Sequence, residues 1–155
     1  MARITCRTPS TGKPIRVSLV NVTTSFTTIA EAPDFSVPDT SENFATRDPL
    51  DGTRAIRPGE VFFLTPLSAT NKTASTQWIE TQLITEDGIT LQFGRVEVPA
   101  GDTAYIPLQG RSLFKRSAGA TNGDRLQVRA QTANAFDVWS SAEEKLSAEH
   151  SGVIS

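Results

Sequence analysis

The chain has one cysteine, one histidine and no apolar run longer than the four residues Val61–Leu64. A single cysteine, Cys6, excludes an intrachain disulfide. Its expected role is that of a small, partly buried apolar residue, and an unpaired thiol suits synthesis in a reducing cytoplasm. A single histidine, His150, removes Ser-His-Asp hydrolysis and every multi-histidine metal site. So close to the C-terminus, it is expected to be an exposed tail residue. The apolar runs are far too short for a membrane-spanning helix. Neither sign of charge dominates: 15 Lys and Arg face 17 Asp and Glu, a net charge of −2. That excludes a wholesale basic surface for duplex nucleic acid. No Gly-rich phosphate loop is present. Asp48–Glu60 has the length of a calcium loop but lacks acids at its third and fifth positions and Gly at its sixth. Glu86 and Asp87 are adjacent in a turn and point apart, whereas a glycosidase needs facing carboxylates. Nothing favours a distant pair such as Glu80 and Asp137. The sequence therefore predicts a protein that is not an enzyme, with no cofactor and no metal.

What the chain does have is hydroxyl: 20 Thr and 14 Ser in 155 residues. Thr is β-branched and Ser competes for backbone hydrogen bonds, so strands and turns are favoured over helices. The length is that of one domain, able to bury about two-thirds of its unfolded surface. The N-terminal Met-Ala-Arg-Ile-Thr-Cys-Arg has charge but no apolar stretch behind it, so no secretory signal is expected. The Asn-x-Thr sequons at Asn21 and Asn71 then read as chance matches in a Thr-rich chain.

Residues 1–14 read as an extended basic arm. Arg3, Arg7, Lys13 and Arg16 precede the first acid, Glu31, and Pro9, Gly12 and Pro14 interrupt any regular period. The arm is either a tether to an acidic partner or a frayed terminus. Ile15–Val22 alternates with period two and predicts the first strand, and Phe26–Ala30 a second. Residues 31–59 hold four prolines and two turn dipeptides, with no helical or strand period. They also hold Phe35, Val37, Phe44, Leu50 and Ile56, which a purely solvated linker would not need. The stretch is expected to be an ordered excursion that packs on its own domain or on a neighbour.

Strand signals return at Val61, with a path to about Asn71 that is bent or broken at Pro66. Thr76–Thr85 and Ile89–Val98 flank Glu86-Asp87-Gly88, the clearest hairpin in the chain. Thr103–Leu108, Arg111–Lys115, Arg125–Ala130 and Ala135–Ser140 complete the set. Ser141-Ala142-Glu143-Glu144 fits a capping box, which predicts a short helix over 142–150 in an acidic tail spanning 143–155. The alternative is a strand that continues past Ser141. Eight or nine short strands with no βαβ alternation predict an all-β antiparallel sandwich over 15–142, jelly-roll or immunoglobulin-like without a disulfide. The expected core is Ile15, Val17, Leu19, Phe62, Leu64, Leu83, Leu91, Phe93, Val96, Ile106, Leu126, Val128, Phe136 and Val138. Trp78, Tyr105 and Trp139 are the large amphipathic aromatics. On one shared face they would stack on sugar rings or bury in a subunit interface; singly they are ordinary core or rim residues. Arg111, Lys115, Arg116, Arg125 and Arg129 form a second basic region, with Arg125 and Arg129 on one side of a strand.

Thr76 to Glu144 resembles small β-sandwich virion proteins of tailed bacteriophages. The resemblance rests on short motifs in under half of the chain. They are Trp78-Ile79-Glu80-Thr81-Gln82-Leu83 with its Asp87-Gly88 turn, and Val98-Pro99-Ala100-Gly101-Asp102-Thr103 leading to Ile106-Pro107-Leu108. They continue with Asn122-Gly123-Asp124-Arg125-Leu126-Gln127-Val128, which resembles a G-D-x-L-x-V strand start, and the closing Ala135–Glu144 segment. Members of that group decorate or cement capsids, or serve as tail and fibre accessories. The resemblance implies a non-enzymatic virion structural protein, made in the host cytoplasm. Its implied partners are the major capsid protein or other virion proteins, with a homo-oligomer on the particle and neither membrane nor specific nucleic acid. Arg3, Arg7, Lys13, Arg16, Phe35 and Phe44 would then be shell or subunit contacts. The alternative is a tail or fibre module that recognises a cell-surface glycan through Trp78, Tyr105 or Trp139.

Overall fold

A computed structural model describes residues 12–38, 54–115 and 122–146. All regular structure among them is β. In chain order the strands are β1 (Lys13–Leu19), β2 (Thr27–Glu31), β3 (Asp34–Pro38), β4 (Arg54–Phe63), β5 (Leu67–Asn71) and β6 (Gln77–Ile84), followed by β7 (Thr90–Val98), β8 (Thr103–Ile106), β9 (Ser112–Phe114), β10 (Arg125–Ala130) and β11 (Phe136–Leu146). They form two antiparallel sheets. One has seven strands along the path β3-β4-β11-β5-β8, with β1 on β11 and β9 on β4; the other has the order β2-β10-β6-β7. The predicted antiparallel sandwich is the observed fold.

The long strand β11 organises the larger sheet. On one side it pairs with β1, from Leu19↔Val138 to Lys13↔Glu144. On the other it pairs first with β5 (Phe136↔Asn71 to Trp139↔Ser68) and then with β4 (Ala142↔Phe63 to Leu146↔Gly59). β4 and β5 thus form one path broken at Thr65-Pro66, as the proline predicts. The break is stitched by side chains. The Ser141 N–H donates to Thr65 Oγ1 (3.0 Å) and the Ser140 hydroxyl donates to the Thr65 carbonyl (2.9 Å).

In the smaller sheet the β6–β7 hairpin closes as expected. The Thr85 N–H donates to the Ile89 carbonyl at 2.8 Å, and Gly88 takes the positive φ of the turn (87°). The register shifts once, between Thr81↔Gly94 and Gln82↔Gln92, so Phe93 is an extra residue. Gly94, at φ 90°, accommodates this bulge.

Val17, Val61, Phe63, Leu67, Ile79, Val98, Ile106, Leu113, Leu126, Val128, Phe136 and Val138 fill the space between the sheets. Three expected core residues do not lie there. Phe62 points to the outer face, and Leu64 and Leu91 are exposed. Val61–Leu64 is apolar throughout, so it carries no alternation to set its parity, and the structure buries Val61 and Phe63 instead.

Two expectations about the chain's course are corrected. The interval 31–59 carries strands at both ends: β3 pairs with the first half of β4 from Asp34↔Pro58 to Pro38↔Arg54. Pro33 precedes β3, Pro38 ends it, and Pro58 lies within β4 at the last pair with β3, which hides the period from the sequence. Of the predicted helix over 142–150, residues 142–146 are strand, the stated alternative of a strand past Ser141, and 147–150 lie outside the described residues. Ala142 is buried on the inner face, and one large apolar residue gives a helix no stripe to bury. At the other end, Lys13 and Pro14 are the first residues of β1 rather than part of an arm. Arg3, Cys6, Arg7, Phe44, Arg116 and His150 lie outside the described residues.

Candidate docking face on the seven-stranded sheet

Strand alternation decides which side chains leave the sandwich. On β11, Phe136, Val138, Ser140 and Ala142 point inward, so Asp137, Trp139 and Ser141 point out. On β5 the inward set is Leu67, Ala69 and Asn71, which leaves Ser68 and Thr70 outside. On β8 it is Ala104 and Ile106, leaving Thr103 and Tyr105 outside. The registers align these residues across the sheet. Ser18, Trp139, Ser68 and Tyr105 form one row; Asp137, Thr70 and Thr103 form the next. Trp139 and Tyr105 therefore stand on one face, two strand spacings or about 10 Å apart. They are 48% and 68% exposed.

The neighbouring row is polar and tied together. The hydroxyls of Thr70 and Thr103 share a hydrogen bond of 2.8 Å. Lys72 Nζ lies 2.8 Å from Asp137 Oδ1 and also donates to Asn21 Oδ1. The Asn21 N–H donates to Asp137 Oδ1 at 2.9 Å. The Lys72 hydrogen bond, helped by the Asn21 N–H and the Lys72 charge, holds the Asp137 carboxyl below the usual aspartate value against its partial desolvation. Asp137 and Lys72 thus neutralise each other.

Beyond Trp139 the face carries further apolar side chains set among polar ones. Leu64 lies beside Ser141, whose carbonyl accepts its N–H. Phe62 lies opposite Ser112 and Glu143, and the Lys145 ammonium sits 4.8 Å from its ring. Phe114 lies opposite Glu60. Of the seven exposed large apolar side chains among the described residues, Leu64, Tyr105, Phe114 and Trp139 are on this face. Arg16 and Lys13, expected as contacts, are exposed on β1 at the edge of the same sheet. Phe35 lies in β3 opposite Arg57.

Trp78 is elsewhere. It lies on the outer face of the four-stranded sheet, half-buried, with the Arg95 guanidinium 3.9 Å from its ring centre. Arg129 sits 4.5 Å from the Phe26 ring and pairs with Glu80 Oε1 at 2.6 Å. Arg95 reaches Glu80 Oε2 at 3.4 Å. Beside this triad the Gln82 amide donates to Gln127 Oε1 (2.8 Å), and the Gln127 amide donates to the Thr28 hydroxyl (3.1 Å). The Arg95–Glu80–Arg129 and Gln82–Gln127–Thr28 groups of this surface pair with one another, while the buried Arg125 Nε has no hydrogen-bond partner among the described residues. Arg125 and Arg129 share the surface, as their even spacing predicts.

The structure therefore brings together two of the three predicted aromatics. The sequence missed Leu64, Phe62 and Phe114 as surface residues, and it missed the Asp137–Lys72–Asn21 cluster. Cross-strand register unites these positions from distant parts of the chain. Among the described residues no group of three or more His, Cys, Asp and Glu could hold a metal. No described helix is long and apolar enough to cross a membrane.

No protein-family model matches the chain, and no curated protein matches it. Among solved structures, the chain is similar to the CBM22-1 and GH10 modules of Clostridium thermocellum endo-1,4-beta-D-xylanase 10B complexed with xylohexaose. Identity is 8%, the TM-score is 0.31, and the match covers 87% of this chain and 29% of that one. A likeness at this level assigns no function.

Proposed function

We propose that this chain is a non-enzymatic virion structural protein that docks on another protein of the particle, decorating or cementing it through the outer face of its seven-stranded sheet. The observation that carries the docking surface is the asymmetry of the two outer faces. On one, Arg95, Arg129 and Glu80 pair with one another and cover the Trp78 and Phe26 rings. The other carries Tyr105 and Trp139 in one row and Leu64, Phe62 and Phe114 farther along, with Asp137 paired to Lys72 and Glu143 to Lys145. A contiguous exposed apolar patch rimmed by polar groups is the mark of a protein contact, and buried aromatics are the usual anchors of one. The virion setting follows the resemblance of the 76–144 motifs. The direct test is quantitative mass spectrometry of purified particles, scaling this chain to the main shell protein, with and without Tyr105→Ala/Trp139→Ala. Shell-like copy number that falls at least tenfold in the double variant supports the reading. Full loading of the variant overturns the assigned face, and absence from particles overturns the virion setting.

One observation favours a second reading, recognition of a cell-surface glycan by a tail or fibre module. Tyr105 and Trp139 flank a small residue, Ser68, beside a strip of hydroxyls, which is a stacking platform with hydrogen-bonding groups alongside. A glycan bound there would change Trp fluorescence in the wild type and not in Trp139→Phe.

A further inference from the structure

The β7 edge of the four-stranded sheet differs from the β1, β2 and β8–β9 edges. β1 begins Lys13-Pro14 and carries Arg16, and the β8–β9 side is interrupted by Pro107 and Gly110. β2 ends in Glu31 and has an irregular register at Leu126/Gln127. The second half of β7 has its bulge at Phe93–Gly94, then Arg95 and Glu97. Charges, prolines and bulges are the ordinary guards of an exposed edge. Residues 89–92, Ile-Thr-Leu-Gln, have none of them, and among the described residues no strand pairs with their open side.

The same segment ends a row of the core. Ala30, Leu126, Leu83 and Leu91 are in register across all four strands. Leu126 is fully buried and Leu83 packs against the core, yet Leu91 is 51% exposed. Ile89, two residues away, is exposed as well. The inner apolar surface therefore runs out to an open edge.

The backbone is poised to continue the sheet. The Ile89 carbonyl points inward to the Thr85 N–H. Antiparallel alternation then turns the N–H and C=O groups of Thr90 and Gln92 outward and those of Leu91 inward. A two-fold axis at Leu91 pairs Thr90 of one chain with Gln92 of its partner, and the reverse. All four outward groups of each chain are satisfied, and Leu91 meets its own copy as a close, non-hydrogen-bonded pair. Ile89 comes opposite Phe93. Such an interface is isologous and closes at two copies.

We infer that this chain forms a two-fold dimer by antiparallel pairing of residues 89–93 of β7 with the same segment of a second copy, joining two four-stranded sheets into one of eight. The inference stands without the docking reading. The test uses the full-length chain in sedimentation equilibrium over a wide concentration range. The wild type is expected at twice the chain mass. Gln92→Pro removes an outward N–H without touching the β6 ladder, and it should weaken the dimer at least tenfold with unchanged circular dichroism. In a Cys6→Ser background, Leu91→Cys should oxidise to a covalent dimer, because a non-hydrogen-bonded pair brings Cα atoms to about 4.5 Å, within disulfide reach. A wild type that stays monomeric overturns the inference. So does a dimer indifferent to Gln92→Pro, or a Leu91→Cys chain that fails to cross-link.

Discussion

Asn71 shows how much of this fold rests on single polar side chains. It is fully buried. Its amide nitrogen donates to the carbonyls of Ser75 (2.8 Å), Val98 (2.9 Å) and Pro99 (3.2 Å). Its amide oxygen accepts the N–H and the hydroxyl of Thr73 at 2.9 and 2.8 Å. One residue of the large sheet thereby fixes the turn that leaves β7 in the small one. Asn71→Ala orphans these partners, and the expected loss is about 3 kcal/mol. A urea titration checks it: the midpoint should fall while the slope stays constant. The Asn71 sequon is thus a packing device. Asp124 plays a similar part. Its carboxylate accepts the N–H of Glu86 at 3.0 Å and of Phe114 at 3.0 Å, tying the β6–β7 turn to β9. A Cβ on Gly123 would come within 2.9 Å of the Ala32 Cβ. Sandwich geometry alone thus explains the Gly123-Asp124 pair that leads into β10.

At the scale of elements, legibility followed local information. The β6–β7 hairpin was readable because Asp-Gly and two alternating arms lie within one short window. The break at Pro66 was readable because proline lacks the ladder N–H. Parity in Val61–Leu64 was not readable, because four consecutive apolar residues fit either face. The register with β11 decides it, and β11 lies some 80 residues away. That decision is measurable. Phe63→Ala opens a cavity in the core and should cost about 3–5 kcal/mol. Phe62→Ala removes an outer-face ring and should cost about 1 kcal/mol or less, since only its contact with Lys145 and part of its burial are lost. Equal losses in thermal or chemical unfolding would reverse the parity. The candidate face was illegible for the same reason: Tyr105, Trp139 and Leu64 become neighbours only through register. The bulge at Phe93 also could not be read, since the alternation of Ile89, Leu91 and Phe93 looks unbroken in the sequence.

For the whole molecule, the proposed face and the proposed edge are on different sheets, and their geometry makes them cooperative. A two-fold axis that pairs antiparallel strands within a sheet is perpendicular to that sheet. It keeps the inner surfaces of both copies on one side, so both seven-stranded sheets lie on that side and their outer faces point the same way. A β7-linked dimer would present two docking faces to one surface. The second contact would then form at high effective concentration, which raises avidity by about 10²-fold or more when the spacing fits. The two sites therefore predict different losses. Tyr105→Ala/Trp139→Ala should abolish attachment and leave the dimer intact. Gln92→Pro should leave each face intact and still lower particle occupancy, with the loss vanishing at saturating protein. Binding isotherms of both variants on stripped particles, alongside sedimentation of the free proteins, separate these effects. If Gln92→Pro dissociates the dimer and the isotherm does not shift, the faces act singly, and the dimer serves something other than attachment.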